Sequence, residues 1–183
     1  MAQRFHTLEV AGIRRELPIL NVTDELAIAG FIMLGDVELT DACARALAEK
    51  VTKETEVLLT AETKGIPLAA ELARCLDMKR YVVARKSVKA YMEDAIWVED
   101  RSITTKGVQK LCLDGADKAR IAGKNVLLLD DVVSTGGSMK ALTELADKAG
   151  GKIVGEACVL AEGKAAERKD LIFLEALPLF DAK

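Results

Sequence analysis

The sequence predicts a doubly wound α/β domain built on a mainly parallel sheet. Short apolar runs typical of buried strands alternate along the chain with segments whose apolar residues recur at helical spacing. Residues 126–129 are four consecutive apolar residues, the pattern of a strand buried on both faces of a parallel sheet. Half of the 183 residues are hydrophobic and only 4% are aromatic, which favours an α/β protein over an all-β sandwich.

Local patterns support each element of that prediction in the first half of the chain. Residues 1–50 carry their own apolar stripe and a predicted helix at about 41–50. Residues 55–60 and 81–84 are predicted strands, and residues 66–76 form a predicted helix between them.

The second half repeats the alternation. Residues 121–125 end a helix, and residues 139–149 continue at helical spacing after a glycine-rich turn. The remaining predicted strands are residues 96–98, 102–105, 108–113, 152–160 and 171–174, with Lys106 and Gly107 as a hairpin turn. We therefore expect one domain over residues 1–183, with a small N-terminal hood at about 1–38, a core at about 39–183 and a flexible β-rich loop.

Composition excludes several classes of function. The formal net charge of −3, from 26 basic and 29 acidic residues, gives no basic excess for nucleic acid. Cys43, Cys75, Cys112 and Cys158 are widely spaced and His6 is the single histidine, so a zinc site is disfavoured and the thiols suit a reducing compartment. No signal peptide or membrane-spanning run is evident. We expect a soluble, cytoplasmic protein with no membrane partner.

The segment 126–138 carries most of the functional information. Two carboxylates, Asp130 and Asp131, follow the apolar run, and residues 134–138 then form a turn that opens a helix. Such a turn presents backbone N–H groups and the positive end of the helix dipole to an anion. Serine and threonine hydroxyls in the turn add donors, whereas the carboxylates suit a polyol or Mg²⁺. A sugar phosphate matches both halves of this segment.

Two further pieces lie at predicted strand ends. Residues 60–67 repeat the order of buried strand, small-residue turn and helix, which provides a second anion site with Lys64 as a point charge. Arg85, Lys86 and Lys89 follow the next strand. A charge cluster usually marks a solvated strand end. Here the carboxyl ends of parallel strands meet at one sheet edge, so these cations are expected beside both anion sites. That position favours a clamp for a diphosphate group.

Residues 126–138 resemble the phosphoribosyl-pyrophosphate (PRPP) loop of the type I phosphoribosyltransferases, and all thirteen positions conform to that pattern. The likeness extends over about residues 17–175 and is closest to bacterial adenine and xanthine enzymes. It implies displacement of pyrophosphate from PRPP by a purine base, with Mg²⁺ bound mainly through PRPP and no separate protein metal site. It also implies a homodimer, and a mobile loop that covers the substrate within residues 89–100.

The resemblance assigns roles to individual residues. Those that would take part in catalysis are Asp130, Asp131, Lys64, Arg85 and Lys89. Those that would bind substrate are Glu62, Thr63, Gly65, Lys86, Val132, Val133, Ser134, Thr135, Gly136, Gly137 and Ser138, together with Leu20 and Asn21 of the hood.

Two features of the sequence predict the preferred base, namely the residue at position 134 and the segment 17–23. Hypoxanthine-guanine enzymes of the family carry an aspartate where this chain has Ser134, and a hydroxyl cannot replace it as an acid or base near neutral pH. Residues 17–23 resemble the hood segment of adenine enzymes. We therefore expect adenine as substrate and AMP as product. The segment from Thr60 to Lys89 is closer to xanthine enzymes and purine repressors, so xanthine is the alternative.

Three other interpretations remain open at this point. A PRPP-sensing regulator would share the fold without turnover, although its usual DNA-binding domain and basic charge are not evident here. An ordinary strand–turn–helix would leave the two aspartates as a solvated strand end. A receiver-type domain would carry its acidic pair near the first strand and not at Asp130.

Overall fold

A computed structural model gives the structure of the protein and describes residues 3–100 and 109–182. Its strands are β1 (Phe5–Val10), β2 (Ile13–Asn21), β3 (Leu26–Ala29), β4 (Val57–Ala61), β5 (Val82–Ala84), β6 (Ile96–Asp100), β7 (Gln109–Leu113), β8 (Asn125–Val133), β9 (Lys152–Glu162), β10 (Leu171–Leu177) and β11 (Phe180–Asp181). Its helices are α1 (Val37–Ala48), α2 (Gly65–Cys75), α3 (Gly115–Ile121) and α4 (Gly137–Lys148), and a 3₁₀ helix covers Gly163–Glu167.

The central sheet has five parallel strands in the order β10-β9-β8-β4-β5. Helices α1 and α2 pack on one face, where Leu39, Leu68 and Leu127 share a buried cluster. Helix α4 packs on the other face, where Leu128 and Leu142 belong to a second cluster. Helices on both faces of a parallel sheet confirm the predicted doubly wound architecture, and they explain why β8 contains an unbroken apolar run.

The hood is a four-stranded antiparallel sheet in the order β1-β2-β3-β11. Its last strand comes from the other end of the chain, since Phe180 pairs with Ala27. Leu8, Phe31 and Met33 of the N-terminal part are buried in the same cluster as α1 and α2. The hood therefore shares a core with the central domain.

Some predicted boundaries were wrong. Strand β8 extends to Val133, past the two aspartates, because Asp130 and Val132 remain paired with Cys158 and Leu160 of β9. Helix α1 begins at Val37, before the predicted start, because the Asp36 side chain accepts a hydrogen bond from the Leu39 N–H and caps the helix.

Other predicted elements match the observed ones with small shifts. Helices α2 and α4 begin at Gly65 and Gly137, one and two residues before their predicted starts. Strands β9 and β10 extend beyond their predicted ends. The strand predicted at 102–105 and the turn predicted at Lys106 and Gly107 lie outside the described residues.

Strands β6 and β7 form a separate antiparallel ribbon next to the site. It is joined to the end of β5 because the Arg85 and Cys112 backbones exchange both hydrogen bonds, at 2.9 and 2.8 Å. Lys148 of α4 donates to the Trp97 carbonyl on the other side of the ribbon. The ribbon thus anchors the residues that follow β5. Within the described ranges, no helix is both long and apolar enough to cross a membrane.

Candidate active site

The carboxyl ends of β4, β5, β8 and β9 lie along one edge of the central sheet, since all four strands are parallel. Residues 62–65, which we call the β4 turn, follow β4 and lead into α2. Residues 134–138, the β8 turn, follow β8 and open α4. Arg85 follows β5 directly. The topology therefore brings the charged and glycine-rich segments of the sequence to a single edge.

An ion pair joins the acidic pair of β8 to the β4 turn. The Lys64 Nζ lies 2.9 Å from the Asp131 Oδ2, in a direction outside hydrogen-bond geometry, so the contact is electrostatic. Asp131 is only 2% exposed, whereas Asp130 is partly buried and its Oδ1 accepts the Asp131 N–H at 2.9 Å. Burial and the adjacent Asp131 carboxyl raise the pKa of Asp130 well above its usual range. Two carboxylates and one ammonium group thus share one small region.

The β4 turn is shaped by a tight contact at the start of α2. The peptide bond between Glu62 and Thr63 is cis. Gly65 is buried, and a Cβ atom built there would overlap the Thr60 Oγ1. No side chain caps the first turn of α2, whose N-cap is Lys64. Only glycine fits at position 65 without displacing the Thr60 side chain. Because no side chain caps this helix, its start can present backbone N–H groups to an anion.

Glu62 organises the cations that follow β5. Its Oε2 accepts from the Arg85 Nε at 3.2 Å and from the Lys86 N–H at 2.9 Å. The Lys86 N–H and the Arg85 guanidinium lower the pKa of the Glu62 carboxyl. Arg85 also donates to the Tyr91 hydroxyl at 2.7 Å, and the Lys89 Nζ donates to the Ser87 Oγ at 2.6 Å. Two residues of the predicted diphosphate clamp, Arg85 and Lys86, are therefore held by a carboxylate of the β4 turn.

The β8 turn contains no charged side chain. Gly136, at φ +79°, is the N-cap of α4 and has no side chain with which to cap the helix. Ser134 and Thr135 are exposed, and Ser138 is partly buried in the first helical turn. Free N–H groups at a helix N-terminus beside hydroxyl groups suit a phosphate monoester.

Not every predicted site residue belongs to these turns. Val132 and Val133 complete β8, and Val133 is buried in the core beneath α4. Leu20 and Asn21 end β2 in the hood sheet, where Asn21 pairs with Ala27. Leu20 is half-exposed. Leu20 and Asn21 thus belong to the hood sheet and not to the loops that follow β4, β5 and β8, and their role in binding substrate stays a prediction.

Sequence reasoning missed three residues at this edge, namely Thr60, Tyr91 and Glu162. Thr60 was treated as part of a strand, and its contact with position 65 depends on the turn geometry. Tyr91 was noted only as part of a loop. Glu162 ends β9, which continues past the predicted end at residue 160. A correct strand end would have placed this carboxylate beside the site.

The fold and the site define a class: a doubly wound domain in which two turns at helix N-termini lie beside an acidic pair. The family model described as "Phosphoribosyl transferase domain" matches residues 36–177. The chain belongs to this family.

Relatives and solved structures agree with this assignment. The chain is 36% identical over 127 residues to a hypoxanthine/guanine phosphoribosyltransferase of Methanothermococcus okinawensis, covering 67% of this chain and 65% of that protein. It is 31% identical over 148 residues to the corresponding protein of Methanotorris igneus, covering 79% and 76%. The match thus spans slightly less than two thirds of the length of the Methanothermococcus okinawensis protein.

The solved structures with a similar fold include adenine phosphoribosyltransferases. That of Rhodothermus marinus superimposes with a TM-score of 0.65 at 24% identity, covering 94% of each chain. That of Trypanosoma brucei, in complex with AMP, pyrophosphate and ribose-5-phosphate, has a TM-score of 0.64 at 18% identity, covering 79% of this chain and 67% of that one. At this level of identity the likeness establishes the fold.

Proposed function

We propose that the protein is a purine phosphoribosyltransferase, which transfers the 5-phosphoribosyl group of PRPP to a purine base and releases pyrophosphate. The observation that carries the proposal is the meeting of two anion-binding turns around Asp130 and Asp131, with Lys64 of one turn bound to Asp131. A substrate with a phosphate at one end, a diphosphate at the other and hydroxyl groups between them matches this order of groups.

The site residues would act mainly by placement and electrostatics. The breaking bond to the anomeric carbon leaves negative charge on pyrophosphate and positive charge on the ribose. Lys64, Arg85 and Lys89 would stabilise the departing diphosphate. Asp130 and Asp131 would accept hydrogen bonds from the ribose hydroxyl groups and oppose the positive charge, while the β8 turn fixes the 5′-phosphate.

The residues present fit a magnesium ion that is bound largely by substrate. Within residues 3–100 and 109–182, no group of three or more acidic, histidine or cysteine side chains forms a metal cage. Mg²⁺ is commonly held by one or two carboxylates and substrate phosphates, and Asp130 and Asp131 supply such carboxylates. When bound, the ion would neutralise diphosphate charge.

We propose adenine as the base. Ser134 places a neutral hydroxyl where hypoxanthine-guanine enzymes of the family carry an acid–base carboxylate, which supports adenine and leaves xanthine as the alternative from the sequence. Hypoxanthine or guanine is the second candidate, and the names of the relatives at 31–36% identity favour it.

We also propose a cytoplasmic homodimer. Ile32, which follows β3, and Val37, the first residue of α1, are 68% and 77% exposed, lie close together in sequence and would gain from burial. Size-exclusion chromatography with light scattering should give twice the chain mass, and a monomer mass would contradict this proposal.

The test of function is pyrophosphate release with Mg²⁺ and PRPP against adenine, hypoxanthine, guanine, xanthine, uracil and orotate in turn. Release with adenine is expected, and release with hypoxanthine or guanine alone would select the second candidate. PRPP binding without turnover on any base would favour a sensor. Failure to bind PRPP would refute the proposal.

A further inference from the structure

The Glu162 carboxylate lies at the site edge but has no role in the proposed catalysis. Glu162 ends β9, and because Val133 pairs with Ala161, it lies beside the point where the β8 turn begins. The Glu162 side chain is partly buried and has no hydrogen-bond or ion-pair partner in the described part of the chain. A half-buried carboxylate without a partner at a sheet's carboxyl edge is available to bind a ligand.

The strand order places Glu162 on the opposite side of the acidic pair from the cations. In the order β10-β9-β8-β4-β5, Lys64 follows β4 and Arg85 follows β5, whereas Glu162 ends β9. Displacement at the anomeric carbon requires the entering group to approach from the side opposite the leaving group. If pyrophosphate leaves toward β4 and β5, the base enters from the β9 side.

The hood lies on this same side. Strand β11 follows β10, the neighbour of β9, and completes the hood sheet. Between β10 and β11, the Leu179 side chain is so near Gly163 that a Cβ there would lie 2.9 Å from its Cδ1. The end of β9 and the segment that leads to the hood strand β11 therefore lie next to each other, beside Glu162.

We propose that Glu162 binds the purine base, accepting a hydrogen bond from an N–H group on its edge; this inference rests on the proposed function. Adenine offers its 6-amino group, and 6-oxopurines offer N1–H. Charge-assisted hydrogen bonds of this kind are about twice as strong as neutral ones. Burial raises the pKa of the Glu162 carboxyl while Lys64 opposes the rise, which agrees with a sheltered position within electrostatic reach of the site.

Steady-state kinetics of Glu162→Gln and Glu162→Ala, with each substrate varied separately, tests the inference. The KM for the base should rise about ten- to a hundredfold in Glu162→Ala, the range for loss of a charged hydrogen bond, and less in Glu162→Gln. The KM for PRPP should stay within about twofold, since the phosphate contacts are untouched. Glu167→Gln, at an exposed residue of the adjacent 3₁₀ helix, should behave as the wild type.

Calorimetric titration of adenine into the protein with ribose 5-phosphate and Mg²⁺ gives a readout that needs no turnover, and hypoxanthine replaces adenine if the wild type prefers it. Weaker base binding by Glu162→Gln, with an unchanged melting temperature, supports the inference. It does so even if no base releases pyrophosphate, a result that would refute the proposed function but not this inference. Equal base affinity, or a shift confined to PRPP affinity and Mg²⁺ requirement, would overturn it.

Discussion

The two anion-binding turns of this domain are built on different physical principles. The β4 turn contains charged side chains that form ion pairs: Lys64 is paired with Asp131, and Glu62 is paired with Arg85. The β8 turn has no charged side chain and offers backbone N–H groups and hydroxyls at the start of α4.

The difference follows from what each turn would bind. A departing diphosphate changes its charge during the reaction, so mobile cations that can exchange carboxylate partners for phosphate oxygens suit it. A 5′-phosphate keeps its charge throughout, and fixed dipoles bind it without rearrangement. Four predictions test this contrast, from the largest expected effect to the smallest.

Asp131→Asn should have the largest effect of the four changes, because it removes the carboxylate paired with the charged β4 turn. The substitution removes the negative charge, replaces one acceptor oxygen with an N–H donor and leaves Lys64 without its buried counter-ion. We expect kcat/KM for PRPP to fall by about 10³-fold or more, since a single preorganised electrostatic contact is commonly worth 10²–10³. Asp147→Asn, an exposed change on α4, is the matched control. Wild-type kinetics in Asp131→Asn would remove the acidic pair from the mechanism.

Gly65→Ala should destabilise the fold as well as the β4 turn. The added methyl group overlaps the Thr60 Oγ1, and overpacking of this kind costs about 1–3 kcal/mol in the free energy of unfolding. Thr60→Ala removes that oxygen, which is buried without a partner, so the double variant should recover most of the loss. Urea denaturation of the four proteins measures the coupling. Additive single effects would contradict the contact.

Asp130→Asn should change how stability depends on pH. Because the folded state raises the Asp130 pKa, the folded protein retains a proton that the unfolded chain has already released, so stability falls as pH rises from about 5 toward 8. In Asp130→Asn the melting temperature should therefore fall less steeply over this pH range than in the wild type. Asp170→Asn should leave it unchanged, since pairing with Arg168 lowers the Asp170 pKa and its effect lies at acid pH. An identical slope in all three proteins would refute the assignment.

Ser138→Ala should have the smallest effect. The β8 turn binds through several backbone N–H groups, so loss of one hydroxyl removes about 1 kcal/mol and raises the KM for PRPP about fivefold, with kcat nearly unchanged. Lys140→Ala, an exposed change two residues further on, should leave both constants as in the wild type. A loss as large as that in Asp131→Asn would mean that the two turns do not differ as described.

Most of the fold could be predicted because its signals are local. The apolar run 126–129 and the glycine-rich turn after it predicted β8 and α4, and both are present. The end of β8 could not be predicted, since Asp130 and Asp131 are poor strand formers that stay in the sheet only through pairing with β9. Strand β11 has two residues and no local signal, because it exists through its partner β3.

The candidate site was predicted as a set of residues but not as a set of contacts. The sequence predicts that Lys64 and Arg85 follow strands and that Asp131 follows the apolar run 126–129. Their pairing depends on how the β4 turn and β5 approach each other, which only the assembled sheet determines. Glu162 could not be predicted for a similar reason. Its position at the site edge comes from the strand order and not from any motif around it.

The origin of the hood's fourth strand has a consequence for the order of folding during synthesis. Strands β1 to β3 leave the ribosome first and can pair locally, but β11 must wait until residues 180–181 have emerged. Pairing over so long a stretch of chain is slow to form. The hood is then the last layer to be completed, and a nascent chain would assemble the carboxyl edge of the central sheet before the hood sheet gained its fourth strand.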